Sequence, residues 1–539
     1  MLRLFSVLFF CLMSSYTSAT SDTQETSTLA PLIKQLPTTS LREMDALIEQ
    51  IADIPSPQAK LLLEKLLDGD LYYLKANKQI VAVQINAENK YQLTDILTNE
   101  TLNAVSKSAI KKVKTNNSLR GQIRTLLANL NLSNSDRTIR LDALNQLLNN
   151  PNELGLKTVK KRVKTEQDRE IRELMADLLL IHQLEVGSDA EKMVAAAQLK
   201  DSLQPAVKNA LVQQLDKLAT QGEKTELKSA LTNAIDKIEQ QATIYQFAEH
   251  LFFGLSLGSV LLLAAIGLAI TFGVMGVINM AHGEMMMLGA YTTYVIQQTF
   301  PTLIEYSLLM AIPAAFVVSG LVGILIERGV IRFLKGRPLE TLLATFGISL
   351  ILQQLVRTIF SPLNRQVEAP QWMTGSLQIN PIFSLTYNRL YIILFSLMVF
   401  FSLLMILKKS SLGLHVRAVS QNRDMARALS IKSSWVDAIT FGLGSGIAGI
   451  AGVVLSQLTN VGPNLGQAYI IDSFLVVVFG GVGNLWGTLV AALTLGTFNK
   501  FLEPWMGPVL ANIIVLVGLV LFIQKRPKGL FPQKGRAAE

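Results

Sequence analysis

The chain has 539 residues, too many for one hydrophobic core, and carries 49 Lys and Arg against 40 Asp and Glu, a formal charge of +9. Its only cysteine, Cys11, lies in the first 20 residues, so the rest of the chain has neither a disulfide framework nor thiol chemistry. No basic stretch is interleaved with aromatic residues, which argues against a stacking surface for nucleic acid.

The opening MLRLFSVLFFCLMSSYTSAT has a lone Arg3, an apolar stretch from Leu4 to Met13 and small residues at Thr17–Ser18–Ala19. That pattern predicts a signal peptide over 1–19, its apolar core being short for an anchor helix. Residues 20–245 are polar and charged and are expected outside the cytoplasm. Within them DGDLYYLKANKQIVAVQINAENKYQL (68–93) alternates apolar and polar residues on either side of Ala76–Asn77, which predicts a small β-hairpin. From about 120 to 240, Leu, Ala, Ile and Val recur at three- and four-residue spacing, as in successive amphipathic helices. DRTIR (136–140) recurs as DREIR (168–172), each copy opening a helix, and that period suggests stacked helical pairs of the HEAT kind. His182 has no Cys or paired His beside it and reads as an ordinary helix residue. No catalytic constellation is present in this half; binding or scaffolding is the expected role.

From about 246 the composition changes. Apolar runs of about 20 residues, the length that crosses ~30 Å of hydrocarbon, recur at 250–273, 276–298, 306–326, 339–358, 389–408, 435–457 and 507–524, with an ambiguous stretch from 470 to 502. Four basic residues lie in 327–337, six between Lys408 and Lys432, and five after Gln524, whereas 458–471 has no charge. The positive-inside rule makes the basic loops cytoplasmic, in agreement with an exported N-terminal half. Parity then requires 470–502 to turn near Gly480–Asn484 and return to the outside before the last span, as a re-entrant pair or two short crossings. The predicted fold class is therefore mainly α: a polytopic α-helical membrane domain at 246–539 after an exported, mostly helical (HEAT-like) domain with a small β-hairpin.

Two polar segments interrupt the apolar pattern. In FGVMGVINMAHGEMMMLGAY (272–291), Asn279, His282 and Glu284 fall within six residues. An acid near mid-membrane costs about 2.5–3.5 kcal/mol on insertion scales, so these groups should not face lipid. They read either as caps of a membrane-edge turn or as acceptors and donors at the inner mouth of a solute pathway, and both readings put them at the cytoplasmic end. Asp472 and Asn484 join them as pathway candidates, Asp472 near the outer mouth. The second segment, SSLGLHVRAVSQNRDMARALSIKSSWVDAITFG (410–442), predicts a cytoplasmic helix over 416–429. Val416, Val419 and Ala426 would face inward there, leaving Arg417, Gln421, Asn422, Arg423, Asp424 and Arg427 to meet a partner.

From about 244 to 535 the chain resembles a permease subunit of the ABC transporters for branched-chain amino acids and related amides. VINMAHGEMMMLGAY, RAVSQNRDMARALSI and FGGVGNLWGTLVAALTLG carry the likeness. Asp424-Met425-Ala426 with Ser430 resembles the EAA-x-x-x-G docking loop of ABC permeases, with Asp for Glu, Met for the first Ala and Ser for Gly. Within the family, 455–487, FLEPWMGP (501–508) and LFIQKRPKGLFPQKGR (521–536) look like the urea-transporter branch. The resemblance implies an importer subunit of the bacterial inner membrane that does no chemistry and binds no metal or cofactor. ATP would be bound and hydrolysed by separate ATPase subunits docked on the loop helix, in keeping with the lack of a G-x-x-x-x-G-K-[ST] motif here. It also implies a second related permease, a periplasmic substrate-binding protein, surrounding membrane lipid and no nucleic acid. The expected solute is urea or a small amide, with branched-chain amino acids as the alternative. A membrane-anchored sensor is the rival class, and an intramembrane hydrolase fits poorly because His282 and Glu284 lack a nucleophile or zinc-ligand motif.

Overall fold

The computed structural model describes residues 29–531 apart from 55, 86–90, 106, 150 and 220–224. The expected leader 1–19 and Cys11 lie outside the described residues. The chain divides into two compact units, Met1–Gln240 and Gln241–Glu539.

In the first unit, helix α1 (Met44–Ala52) leads to α2 (Pro57–Asp68). The Ser56 hydroxyl accepts the Ala59 N–H, Pro57 occupies the first turn, and Gly69 closes α2 with φ 80°. Five strands follow: β1 (Leu71–Leu74), β2 (Ile80–Ile85), β3 (Tyr91–Asp95), β4 (Thr101–Val105) and β5 (Ile110–Lys112). They form one antiparallel sheet in the order β4-β3-β2-β1-β5. The predicted hairpin is present, with Tyr73 opposite Ile80, but it is only the centre of a larger sheet. YQLTD, TLNAV and IKK are too short and too polar to show a two-residue period by themselves. Alternation along β2 serves two faces: Ile80 and Ala82 pack with Leu71 on the α1–α2 core, while Val81 and Val83 pack with Leu93 and Ile110.

Helices α3 (Asn117–Asn131), α4 (Arg137–Asn149), α5 (Glu153–Arg162), α6 (Arg169–Val186), α7 (Asp189–Leu199) and α8 (Pro205–Ala219) follow the sheet. The DRTIR and DREIR copies open α4 and α6, and Asp168 caps α6 by accepting the Ile171 N–H. The copies also touch. Arg137 of the first pairs with Asp168 of the second at 2.7 Å and with Glu170. Arg140 reaches buried Glu166 at 3.2 Å, where Arg162 also bonds at 3.4 Å.

Burial pushes the Glu166 carboxyl up, but the Asp168 N–H and the Arg140 and Arg162 guanidiniums outweigh it, leaving the group below its ordinary 4.5. A carboxylate depressed on folding adds stability above its unfolded pKa and loses it as pH falls through the folded one. Protection of α4 and α6 amides in the intact protein, corrected for intrinsic exchange, should therefore fall as pH drops below 4.5. Glu166→Gln should flatten that contribution.

α9 (Thr225–Met275) begins in the first unit and ends in the second. The second unit continues with α10 (His282–Thr299), α11 (Ile304–Gly329), α12 (Pro338–Phe360), α13 (Tyr387–Lys409), α14 (Ser411–Gln421), α15 (Arg423–Ala428), α16 (Ser433–Ser456), α17 (Leu465–Gly480) and α18 (Leu485–Lys525). Among the described residues six helices are long and apolar enough to cross a membrane, and α17 is a shorter apolar helix. Small residues let backbones meet: a Cβ on Gly289 would lie 2.0 Å from the Gly449 carbonyl oxygen, and one on Gly452 1.8 Å from that of Met286.

The structure refines three stretches of the expected pattern. The span predicted over 276–298 is helical only from His282, because Gly276 (φ 69°) turns the chain out of α9. The ambiguous 470–502 stretch resolves into α17, a break at Gly481 (φ 102°) and Gly483 (φ 79°), and the start of α18. α18 is itself two arms, folded at Gly507 (φ 78°, ψ 166°) between Pro504 and Pro508, with the Asn499 and Asn512 side chains bonded across the fold. The span predicted at 507–524 is its second arm. Finally, the loop helix predicted over 416–429 is two helices, because Asn422 (φ −148°) leaves the helical region and caps α15.

Candidate functional site

The extended segment after Gly276 returns alongside α9. His282 Nε2 lies 2.9 Å from the Ala264 carbonyl oxygen, eleven residues or about 16 Å of helix before Met275. The expectation that Asn279, His282 and Glu284 sit at the end of the span is therefore corrected: the glycine reversal carries them deep into the apolar bundle. All three are buried.

Each is held on one side and open on the other. Asn279 Oδ1 accepts the Ala281 N–H at 3.0 Å, and the Met280 N–H donates to Thr345 Oγ1 at 3.2 Å. Glu284 Oε1 accepts from Ser349 Oγ at 2.8 Å and Gln353 Nε2 at 2.7 Å. Asn279 Nδ2, His282 Nδ1 and Glu284 Oε2 have no hydrogen-bond partner among the described residues. Buried polar atoms without partners cost about 1–3 kcal/mol each, which makes this cluster a place where a polar solute would be welcome. The sequence reading missed the far wall: Thr345, Ser349 and Gln353 recur every fourth residue along α12, and that spacing, which keeps near neighbours on one helix face, was the available signal.

A second helix starts against the same place. A Cβ on Gly283 would lie 2.5 Å from the Gly466 carbonyl oxygen, and one on Gly466 would lie 2.2 Å from that of Gly283. The first turns of α10 and α17 are thus in backbone contact, so the positive ends of two helix dipoles meet at the Gly283–Glu284 backbone.

The other two pathway candidates lie elsewhere. Asp472 lines a separate cavity with Tyr469, Lys500, Glu503 and the aliphatic Leu257 and Leu261. Asn484 is a cap: its Oδ1 accepts the Trp486 and Gly487 N–H groups, and its Nδ2 donates to the Phe531 carbonyl at 3.2 Å. It borders a cavity with Lys408, Arg417 and Gln421, so the turn at 480–484 sits at the end of the bundle that carries the basic loops.

The predicted docking residues divide. Val416, Val419 and Ala426 are buried, as the periodicity required. Gln421, Asp424 and Arg427 are exposed, Asp424 being 3.6 Å from Arg427. Arg417 is also exposed and bonds the Leu407 carbonyl, while Asn422 is exposed and caps α15. Arg423 departs from expectation by turning into the bundle, where its guanidinium grips buried Asp437 with both arms at 2.7 and 3.1 Å. Asp437 is fully buried, and a carboxylate taken out of water is stable only when paired, which draws Arg423 in alongside Lys335.

Ser430 takes φ 65°, the left-handed conformation that the glycine of the related loop would adopt freely, and Ile431 N–H bonds back to the Ala426 carbonyl at 3.0 Å. Relief of a left-handed serine is worth about 1 kcal/mol. Ser430→Gly should raise thermal stability slightly, whereas Ser430→Val should lower it; melting of the purified variants checks this.

Residues 250–524 match the family described as branched-chain amino acid transport system, permease component. The chain belongs to that family. It is 29% identical over 298 residues to the high-affinity branched-chain amino acid transport system permease protein BraD of Pseudomonas aeruginosa, covering 53% of this chain and 96% of that one. It is similar to the LivH permease proteins of the same description from Salmonella typhimurium (29%) and Escherichia coli K12 (28%), each over 53% of this chain and 95% of the relative. No solved structure matches it significantly. The family region contains both polar segments, α10 with its partners on α12, and the α14–α15 loop. The matched residues leave the whole of the first unit outside them.

Proposed function

We propose that this chain is the transmembrane permease subunit of an ABC importer for branched-chain amino acids. It is a multi-pass inner-membrane protein with its N-terminal, HEAT-like unit periplasmic and its basic loops and C-terminus cytoplasmic. ATPase subunits dock on α14–α15, a second related permease sits alongside, and a periplasmic binding protein delivers the solute. The chain itself only provides the path.

The observation that carries the solute class is the meeting of α10 and α17 at Gly283 and Gly466 beside Glu284. Two helix starts favour the carboxylate of an amino acid, as half-helix N-termini do in other transporters, and Glu284 Oε2 can accept from its ammonium group. The family description and the relatives' names support the same class.

Urea is a second reading, supported by a different observation. Among the described residues no Lys or Arg is a bonded partner of Asn279, His282 or Glu284, and a neutral molecule with four N–H donors and one acceptor needs none. The resemblance of 455–487 and 501–508 and the long N-terminal region lean the same way. Uptake of labelled leucine and, in parallel, of labelled urea by cells with and without the chain, with excess unlabelled urea or leucine as competitor, separates the two. Chain-dependent uptake blocked by leucine and not by urea supports the first reading; chain-dependent uptake of labelled urea alone overturns it.

A further inference from the structure

The docking loop is fastened to the bundle at one buried carboxylate, Asp437, beside a second, Glu327, and a single lysine lies within reach of both. Asp437, near the start of α16, and Glu327, near the end of α11, are both fully buried. Asp437 holds Arg423 of α15 through two bonds and also bonds Lys335 from the link between α11 and α12. Glu327 has Lys335 Nζ at 4.0 Å and Arg328 at 3.8 Å, and neither of its oxygens has a hydrogen-bond partner among the described residues. Arg328 itself lies over the Trp435 ring, 4.3 Å from its centre. Thus one carboxylate has two bonded cations and its neighbour none, with a flexible ammonium between them.

We propose that Arg423, Asp437, Lys335 and Glu327 are positioning residues that pass movement of the docking loop to α11 and α16, with Lys335 exchanging between the two carboxylates. Arg423 pulled toward Asp437 compensates that carboxylate and frees Lys335 for Glu327. Arg423 drawn away leaves Lys335 on Asp437. Each arrangement keeps a cation on Asp437, so α15 can move without leaving Asp437 uncompensated. The exchange acts where α11 and α16 are packed tightly: Gly320 and Gly323 of α11 face Gly442 and Ser445 of α16. α16 in turn presses Gly449 and Gly452 on α10, the helix that begins at the polar cluster. A shift at the loop is therefore delivered to the start of α10 through close backbone contacts.

This proposal rests on the transport reading above. The full complex in vesicles is assayed for solute imported per ATP hydrolysed, first with the parental chain. Absence of ATP-dependent import by the parental complex contradicts the transport reading and removes this proposal with it. Given parental import, Glu327→Gln keeps the shape but removes the second seat for Lys335. It should lower solute per ATP about tenfold while assembly and ATP hydrolysis remain. Asp437→Asn should lower the ratio further, and Arg423→Lys, which keeps the charge but loses the two-armed grip, should fall between parental and Asp437→Asn. A residue that merely supports the fold would lower import and hydrolysis together, in step with the amount of assembled complex. That pattern, or an unchanged ratio in all three variants, overturns the proposal.

Discussion

Gly452→Leu should yield no folded membrane unit. A Cβ alone would lie 1.8 Å from the Met286 carbonyl oxygen and 2.9 Å from the Ala290 nitrogen, both backbone atoms of α10. Backbone cannot swing away as a side-chain tip can, so α10 and α16 must separate. Overpacking in a tight core costs about 1–3 kcal/mol and occasionally more, and the rest of leucine adds to this, a large fraction of the ~5–15 kcal/mol that holds a domain together. Gly289→Leu, aimed at the Gly449 carbonyl, should behave alike. Gly347→Leu on α12 is the comparison, since nothing lies within 4 Å of a Cβ there. Gel filtration of detergent-extracted protein should show a monodisperse peak for the Gly347 variant and aggregate for the other two.

Glu284→Gln should leave the protein folded and cut import at least tenfold. The amide keeps the shape and can still accept from Ser349 and Gln353 through its oxygen, but its nitrogen now faces the position of the unpartnered Oε2. An acceptor for a solute ammonium or amide N–H is lost there. Asn279→Leu keeps size and removes the open Nδ2 together with the bond to Ala281, so some destabilisation of about 1 kcal/mol should accompany its transport defect. Initial rates of uptake, normalised to protein extracted from the membrane, are the readout. If both variants import at the parental rate, the polar groups only cap the start of α10.

The membrane unit was legible where apolar run length decides structure. The spans read near 306–326, 339–358 and 389–408 each lie within one helix, and 435–457 overruns α16 only by its cap residue, because run length is a direct requirement of the hydrocarbon. The break at Gly480–Asn484 could be argued because charge parity demanded a turn and three glycines were there to make it. The reversal at Gly276 was not legible in the same way. A lone glycine is compatible with a continuous helix, and only the return of the chain along α9, with His282 on the Ala264 carbonyl, shows which conformation it takes. Arg423 failed for a related reason: its partner, Asp437, is 14 residues further on in another helix, and sequence proximity to Asp424 made it look like part of the same exposed face. Ser349 and Gln353 were different again. Their four-residue spacing with Thr341 and Thr345 could have been read as a polar face aimed at Glu284.

The central claim is that this chain forms a path for a solute driven by ATP on other subunits. Reconstitution of the purified chain with its co-purifying partners into vesicles, with binding protein and solute outside and ATP inside, tests it most directly. Accumulation of labelled solute inside above the outside concentration, abolished by omitting ATP, is the predicted result. Solute binding that alters protease cleavage within 410–432 while no solute enters, with no ATPase subunit retained on the chain, would contradict it and make the protein a membrane-anchored sensor.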